Sequence, residues 1–368
     1  MTDQLKKLLD FYENTINPDT VKNNIELHKK TLQFENTDQL CVNIGFPNPE
    51  LKGYSMSEIH EDVEKMAYNE FLNVYAAITG VGHAIPMIRA NYGVGILPSI
   101  FGVNSRIVSG NMPWVDHVGI DGVKEILSKG IPDYRNGFGQ KMIDAYSYFS
   151  EVLSNYPKCK ECIRLYQPDF QGAFDVAHLI WGSDIYMDMY DEPELLHEFL
   201  ELISQTYVDS MKKICTLLND NVDGYICQWG NIFPGNVLLR NDTAVNLSPS
   251  MYEEFVKPYD EKIFEAFGGG SMHFCGRADH WIFEMEKSKN IKGFNFGHMP
   301  TVQFGQEYLD FLRPNFYDKK RPVVQYLLER KDLETFDFSK YPTGVTFHVR
   351  AGSRNEAVEI YEKYFQKK

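Results

Sequence analysis

The sequence predicts an α/β protein, a single (β/α)8 TIM barrel with an N-terminal helical extension, and three observations carry that expectation. Short β-branched or aromatic runs alternate with longer helical patterns along most of the 368 residues, which implies parallel strands joined by helical crossovers. Roughly eight such units favour a closed barrel over an open doubly wound sheet. No internal repeat or low-complexity linker interrupts the alternation, so the expected division is residues 1–40 as the extension and 41–368 as the barrel.

The elements follow in order. Residues 1–40 are mostly polar and charged, but Leu5, Leu8, Leu9 and Tyr12 recur at helical spacing, predicting a leading amphipathic helix that serves as a cap or as a contact between copies. Candidate strands are Cys41–Gly45, Ala84–Ile88, Ile163–Gln167, Tyr225–Trp229, Ser271–Cys275, Ile291–Phe296 and Gly344–Val349. Between them, Leu196, Leu200, Ile203, Tyr207, Met211, Ile214 and Leu218 mark a helix over Pro193–Leu218, with proline in its first turn and acids just before it. Ser248 before Pro249 reads as the N-cap of another helix. Gly268-Gly269-Gly270 precedes a strand instead of a helix, and no glycine-rich nucleotide cradle follows any candidate strand.

Composition narrows the function. At 43% hydrophobic and 14% aromatic residues, the chain buries a full core without staples. Its 37 basic and 51 acidic residues leave a net charge of −14, which repels nucleic acid and anionic lipid. The basic clusters Lys319-Lys320-Arg321 and Lys367-Lys368 are too short to reverse this. No uncharged apolar run approaches the ~20 residues that span a bilayer. Six cysteines in so long a chain do not make a disulfide scaffold, and the N-terminus lacks the apolar core of a secretory signal, so a reducing cytoplasm is the expected compartment.

The sharpest chemical constellation is Ser271-Met272-His273-Phe274-Cys275-Gly276-Arg277. Side chains alternate along a strand, so His273 and Cys275 share the face opposite Met272 and Phe274. Gly276 lets the chain turn at the strand's C-terminal end, where barrel enzymes keep their active sites. An imidazole and a thiolate two positions apart can bind one zinc ion, leaving a third ligand to be found; a packed core pair is the alternative. Val345, Phe347 and Val349 alternate with Thr346, His348 and Arg350, which places His348 on the polar face of the last strand, two positions round from Cys275 if Ile291–Phe296 is the only strand between. His298, after that intervening strand, competes with His348 for the third position. Cys159-Lys160-Glu161-Cys162 falls before Ile163–Gln167, on the barrel's stability face, and reads as a pair of surface thiols. His178 reads as helix packing.

Three segments carry a resemblance to the uroporphyrinogen decarboxylase superfamily. Asp169-Phe170-Gln171-Gly172-Ala173-Phe174-Asp175-Val176-Ala177 resembles its glycine–proline–phenylalanine segment, with Ala173 where proline is common. Leu247-Ser248-Pro249 with Phe255 and Pro258 resembles its Leu-Ser-Pro helix, and Gly268–Cys275 resembles its strand ending in His-x-Cys. The resemblance implies a (β/α)8 barrel. True uroporphyrinogen decarboxylases bind a many-carboxylate substrate with N-terminal arginines, but the first arginine here is Arg89, and without guanidinium forks such a substrate would meet an uncompensated acidic protein. The zinc-dependent, cobalamin-linked methyltransferase branch is the nearer match. That likeness implies zinc on His273 and Cys275, with His348 standing where that branch places a later cysteine, cobalamin carried by a partner corrinoid protein, and a small methylated ether, amine or thiol as substrate. Trp114, Tyr166, Trp181 and Trp229 are candidate pocket walls. The alternatives are a decarboxylase or other lyase acting on a different carboxylated substrate, with Arg89 or Arg350 as the clamp, and a non-catalytic module that docks a corrinoid protein.

Overall fold

A computed structural model describes residues 1–108, 113–299, 302 and 304–366; the Lys367-Lys368 pair lies outside them. Eight short strands alternate with helices: β1 (Val42–Gly45), β2 (Met87–Ile88), β3 (Arg164–Leu165), β4 (Leu238–Arg240), β5 (Gly270–Cys275), β6 (Ile291–Gly297), β7 (Val323–Leu328) and β8 (Val345–Arg350). Six of them form one parallel sheet in the order β1-β8-β7-β6-β5-β4, and β2 and β3 form a separate parallel pair. Two seams join the sheets without a continuous ladder. At the first, the His83 amide donates to the Val42 carbonyl at 2.8 Å. At the second, the Gly172 amide donates to the Arg240 carbonyl at 2.7 Å and the Gln167 side-chain amide to the Asn236 carbonyl at 2.9 Å. Most β-strand residues are buried on both faces, as expected when helices cover a parallel sheet.

The structure corrects two strand expectations. Tyr225–Gln228 is a strand, but it pairs antiparallel with Asn221–Val222 and Asn231–Pro234 in a small separate sheet; the strand that continues the parallel sheet is β4, directly after it. Strand β7 was not expected at all. Its core sequence, Val323-Val324-Gln325-Tyr326-Leu327-Leu328, is an apolar run without period-2 alternation, and Gln325 takes φ +57° where the register with β8 shifts. With β7 in place, His348 on β8 stands three strands round from Cys275, not two.

The leading helix α1 (Asp3–Thr15) is capped by Thr2 and buries Leu5, Leu8, Leu9 and Tyr12. The Tyr12 hydroxyl donates to the Phe71 carbonyl at 2.9 Å, so this apolar face is spent within the chain, and each fully buried leucine there contributes about 1.5–3 kcal/mol. Helix α2 (Pro18–Leu32), capped by Asn17, ends against the start of β8, where the Gly344 amide donates to the Thr31 carbonyl at 2.7 Å. The long helix α3 runs Pro193–Cys215 with proline in its first turn. Ser248 caps Pro249–Met251, after which a π-helical turn, Tyr252–Val256, leads into α4 (Lys257–Phe267). Cys159 and Cys162 are buried, not on the surface: their short helix, Pro157–Cys162, packs on α1, with Glu13 accepting from the Lys158 and Cys159 amides. Burial pushes the Cys162 thiol up to about 11. Among the described residues, no helix is long and apolar enough to cross a membrane.

Candidate functional site

Strand β5 brings its two soft donors together as its period requires. Met272 and Phe274 are fully buried on one face, while on the other the Cys275 Sγ lies 3.6 Å from the His273 Nε2. Gly297 of β6 sits beside them, and a Cβ there would come within 2.5 Å of the Cys275 Sγ and 3.1 Å of the His273 ring. Glycine at this position leaves the room that the pair occupies.

A third donor comes from Asp242, two residues beyond the end of β4. Its Oδ1 accepts from the Cys275 amide at 2.6 Å and lies 3.6 Å from the His273 Nε2. One donor atom each from Asp242, His273 and Cys275 fall within 4.8 Å of one another. Buried polar groups hold this turn. Asp175 accepts from the Asp242 amide at 2.7 Å and the Thr243 amide at 2.8 Å. Asp260 accepts from the Asn241 side chain at 2.5 Å, and the Asn241 amide donates to the His273 carbonyl at 2.9 Å. Burial pushes both carboxyls well above the usual range. Asp242 is not legible in the sequence because the hairpin before it carries the stronger strand signal; the apolar run Val237-Leu238-Leu239 just before Arg240-Asn241-Asp242 is the signal that marks it.

The tautomer of His273 is set by Asn295. The Asn295 Nδ2 donates to the Val324 carbonyl at 2.7 Å, which turns its Oδ1 towards the His273 Nδ1 at 2.6 Å. Nδ1 therefore carries the proton, and Nε2 presents its lone pair to Asp242 and Cys275. Burial pushes the imidazole pKa down, against the pull of Asp242. Burial, with Asp242 second, pushes the Cys275 thiol up to about 12. A neutral imidazole, a thiol and a carboxyl group converging in this way form a donor set that suits a borderline-soft divalent cation such as zinc, whose charge would favour the thiolate.

The other histidines stand outside this group of three. His348 on β8 has no partner for its Nδ1, and burial pushes its pKa down to about 4. His298, just beyond β6, lies 3.6 Å from Glu329. Both line a cavity of about 230 Å³ together with His273, Trp229 and Arg350. A second cavity, of about 330 Å³, shares Trp229 and His348 as walls and extends to Tyr166, Glu70 and Arg89. Asp169 links the two regions, bound by the Arg89 Nη2 at 3.3 Å and the Arg240 Nε at 3.0 Å. Burial pushes the Asp169 carboxyl up, but the two guanidiniums outweigh it and hold it below its ordinary value. Arg240 lies over the Trp229 ring at 5.1 Å, and Trp229 meets His273 edge-on at 5.0 Å. Of the candidate wall residues, Trp229 and Tyr166 line these cavities; Trp181 is buried with its indole donating to Asp188, and Trp114 is exposed. His178 packs between His117 and Tyr186.

Known proteins share this frame. Residues 172–309 match the family model for uroporphyrinogen decarboxylase (URO-D). A solved structure of a methyltransferase from Methanosarcina mazei superposes with a TM-score of 0.60 at 13% identity, covering 92% of this chain and 96% of that one; at that identity the likeness is one of fold. No curated protein matches the chain in sequence. The matched span begins at Gly172, includes the Ser248 cap and the His273-Phe274-Cys275 strand, and holds all three converging donors. Residues 172–309 are thus the part of the chain that is similar to the uroporphyrinogen decarboxylase family.

Proposed function

We propose that this protein is a zinc-dependent methyltransferase, moving a methyl group between a small methylated ether, amine or thiol and the cobalamin of a partner corrinoid protein, within a (β/α)8 barrel completed across the two seams. The observation that carries this reading is the convergence of Asp242, His273 and Cys275 at the C-terminal ends of neighbouring strands, the end at which such barrels do chemistry. His273, Cys275 and Asp242 would hold the ion, and His348 would face the substrate in the adjoining cavity instead of completing the ligand set. Zinc bound there supplies Lewis acidity to the substrate heteroatom. The chain's own contribution is to keep the His273 Nδ1 protonated through Asn295, to leave space at Gly297, and to wall off water with Trp229 and its neighbours.

The test is zinc analysis of the purified protein combined with a methyl-transfer assay against methylcobalamin and cob(I)alamin, using a panel of thiols, methyl ethers and methylamines and read by the cobalt spectrum. One zinc per chain, lost in His273→Ala, together with a spectral change for at least one substrate is the expected result. A protein without stoichiometric zinc, unaffected by His273→Ala, rejects the mechanism. The same cavities favour one rival, a lyase using Arg89 as a carboxylate clamp, which would instead release carbon dioxide without any dependence on His273 or Cys275.

A further inference from the structure

We propose that the cavity between the last turn of α3 and the start of β4 binds a primary organic ammonium with a short apolar body, held by Asp220 and Gln167. The cavity has a volume of about 380 Å³, and none of Asp242, His273 and Cys275 lines it. Asp220 and Gln167 both line it, 5% and 1% exposed. The Asp220 Oδ2 and the Gln167 Oε1 are buried without a hydrogen-bond partner. Acceptors left open in this way are costly, a carboxylate more so than an amide. The Gln167 side chain lies close enough to Asp220 to favour its charged form, which puts both open acceptors within reach of one ligand.

The other side-chain amides on the wall are already committed. The Asn219 Oδ1 accepts from the Leu165 amide at 2.5 Å, the Asn221 Oδ1 from the Gly224 amide at 3.3 Å, and the Asn236 Oδ1 from the Asn221 side chain at 2.9 Å. Two open oxygens fall short of the roughly six to eight that a calcium ion gathers, whereas a primary ammonium carries three donors, two for these oxygens and one for water. Leu218, Ile226 and Phe267 supply an apolar wall for a short hydrocarbon body. Two helix C-termini also meet there, since Cys215 closes α3 and Phe267 closes α4, and the partial negative charge of a helix's last turn favours a cation. Lys212 is the basic residue on the wall. It is exposed, so solvent screens its repulsion, and among the described residues neither it nor any other cation pairs with Asp220. The Cys215 and Cys227 thiols, which feel the Asp220 charge, are pushed up to about 12 by burial, and Arg164 beside Cys227 stays charged, so Asp220 is the group here that titrates near neutrality.

Calorimetric titration of the purified full-length protein at about pH 8.5 tests this, with butylammonium set against butan-1-ol and with calcium and magnesium chloride as further probes. The expected result is that butylammonium binds about tenfold more tightly than the alcohol or better, that Asp220→Asn brings the two within about threefold of each other, and that neither metal ion displaces the amine. Acidifying the unaltered protein to about pH 5.5 puts a proton on Asp220 and should weaken butylammonium binding by about tenfold or more, while the amine itself stays charged. That measurement needs no variant and decides the matter should Asp220→Asn not fold. Equal binding of amine and alcohol, no amine binding up to about 10 mM, binding that survives either Asp220→Asn or acidification undiminished, or displacement of the amine by calcium or magnesium overturns the site.

Discussion

Asn295 and His273 meet at 2.6 Å, and the direction of that hydrogen bond is imposed from the neighbouring strand, because the Val324 carbonyl takes the asparagine amide at 2.7 Å. The amide thereby fixes which imidazole nitrogen is free. Replacing Asn295 with leucine removes both bonds and releases the ring to rotate or change tautomer. Loss of such an outer partner typically lowers metal affinity 10–100-fold, so Asn295→Leu should weaken zinc binding by about that factor. Competition with a chromophoric chelator measures it, with far-ultraviolet circular dichroism as the control for folding. Affinity equal to that of the wild type would mean that something other than Asn295 orients His273.

Gln325 and Trp229 form a second linked pair beside the same cavity. Both have positive φ, +57° and +48°, and the Gln325 side-chain amide donates to the Trp229 carbonyl at 3.0 Å. A non-glycine residue in this region costs about 1–2 kcal/mol, which the cross-link offsets in part. Gln325→Ala keeps the unfavourable backbone and loses the bond, so it should destabilise by about 1 kcal/mol. Gln325→Gly loses the same bond but relaxes the backbone, and should be the more stable of the two by about 1 kcal/mol. Urea unfolding of both variants decides it; alanine outranking glycine would show that φ carries no strain here.

What the sequence made legible followed from strict alternation. In β5 the pattern Met272, His273, Phe274, Cys275 assigns faces without ambiguity, and Gly276 marks the strand's end, so the pairing of His273 with Cys275 was readable. Asp242 was not, because β4 is three residues long and stands behind a hairpin, Tyr225–Gln228 with Asn231–Pro234, whose own signal is stronger. Strand β7 was hidden because it is buried on nearly every residue, which erases the polar beat that distinguishes a strand from a helix segment. That one omission misplaced His348 relative to Cys275. Asn295 left no sequence signal, since its role depends on Val324 of the strand that had been missed.

Gly297 offers a test of the crowding around the donors. A methyl group there would meet the Cys275 Sγ at 2.5 Å and the His273 ring at 3.1 Å, and Gly297 is not among the positive-φ glycines, so any effect of substitution comes from space and not from backbone freedom. Gly297→Ala should cost about 1–3 kcal/mol of stability through overpacking and reduce bound zinc below one per chain. Metal analysis alongside denaturation checks both effects. Full zinc occupancy in the variant would show that β5 and β6 can part without disturbing the donors.

Asp220, which is not one of the three converging donors, predicts a pH dependence of stability. It is 5% exposed, its Oδ2 has no partner, and burial pushes its carboxyl up to about 7. The unfolded chain's aspartate titrates near about 3.9, so the folded state binds this proton more tightly. The contribution is therefore fully present below about pH 4 and is lost as pH rises through about 7. Three pK units would correspond to about 4 kcal/mol; because Asp220 also lines a solvent-open cavity, water reaching the carboxylate reduces this to on the order of 2 kcal/mol. Asp220→Asn removes the titration while keeping the shape. Relative to the wild type, it should gain about 1 kcal/mol between pH 5 and pH 8 in urea unfolding, the rest of the change falling below pH 5. A difference between the two proteins that is the same at both pH values would show that Asp220 ionises in the folded state as readily as in the unfolded one.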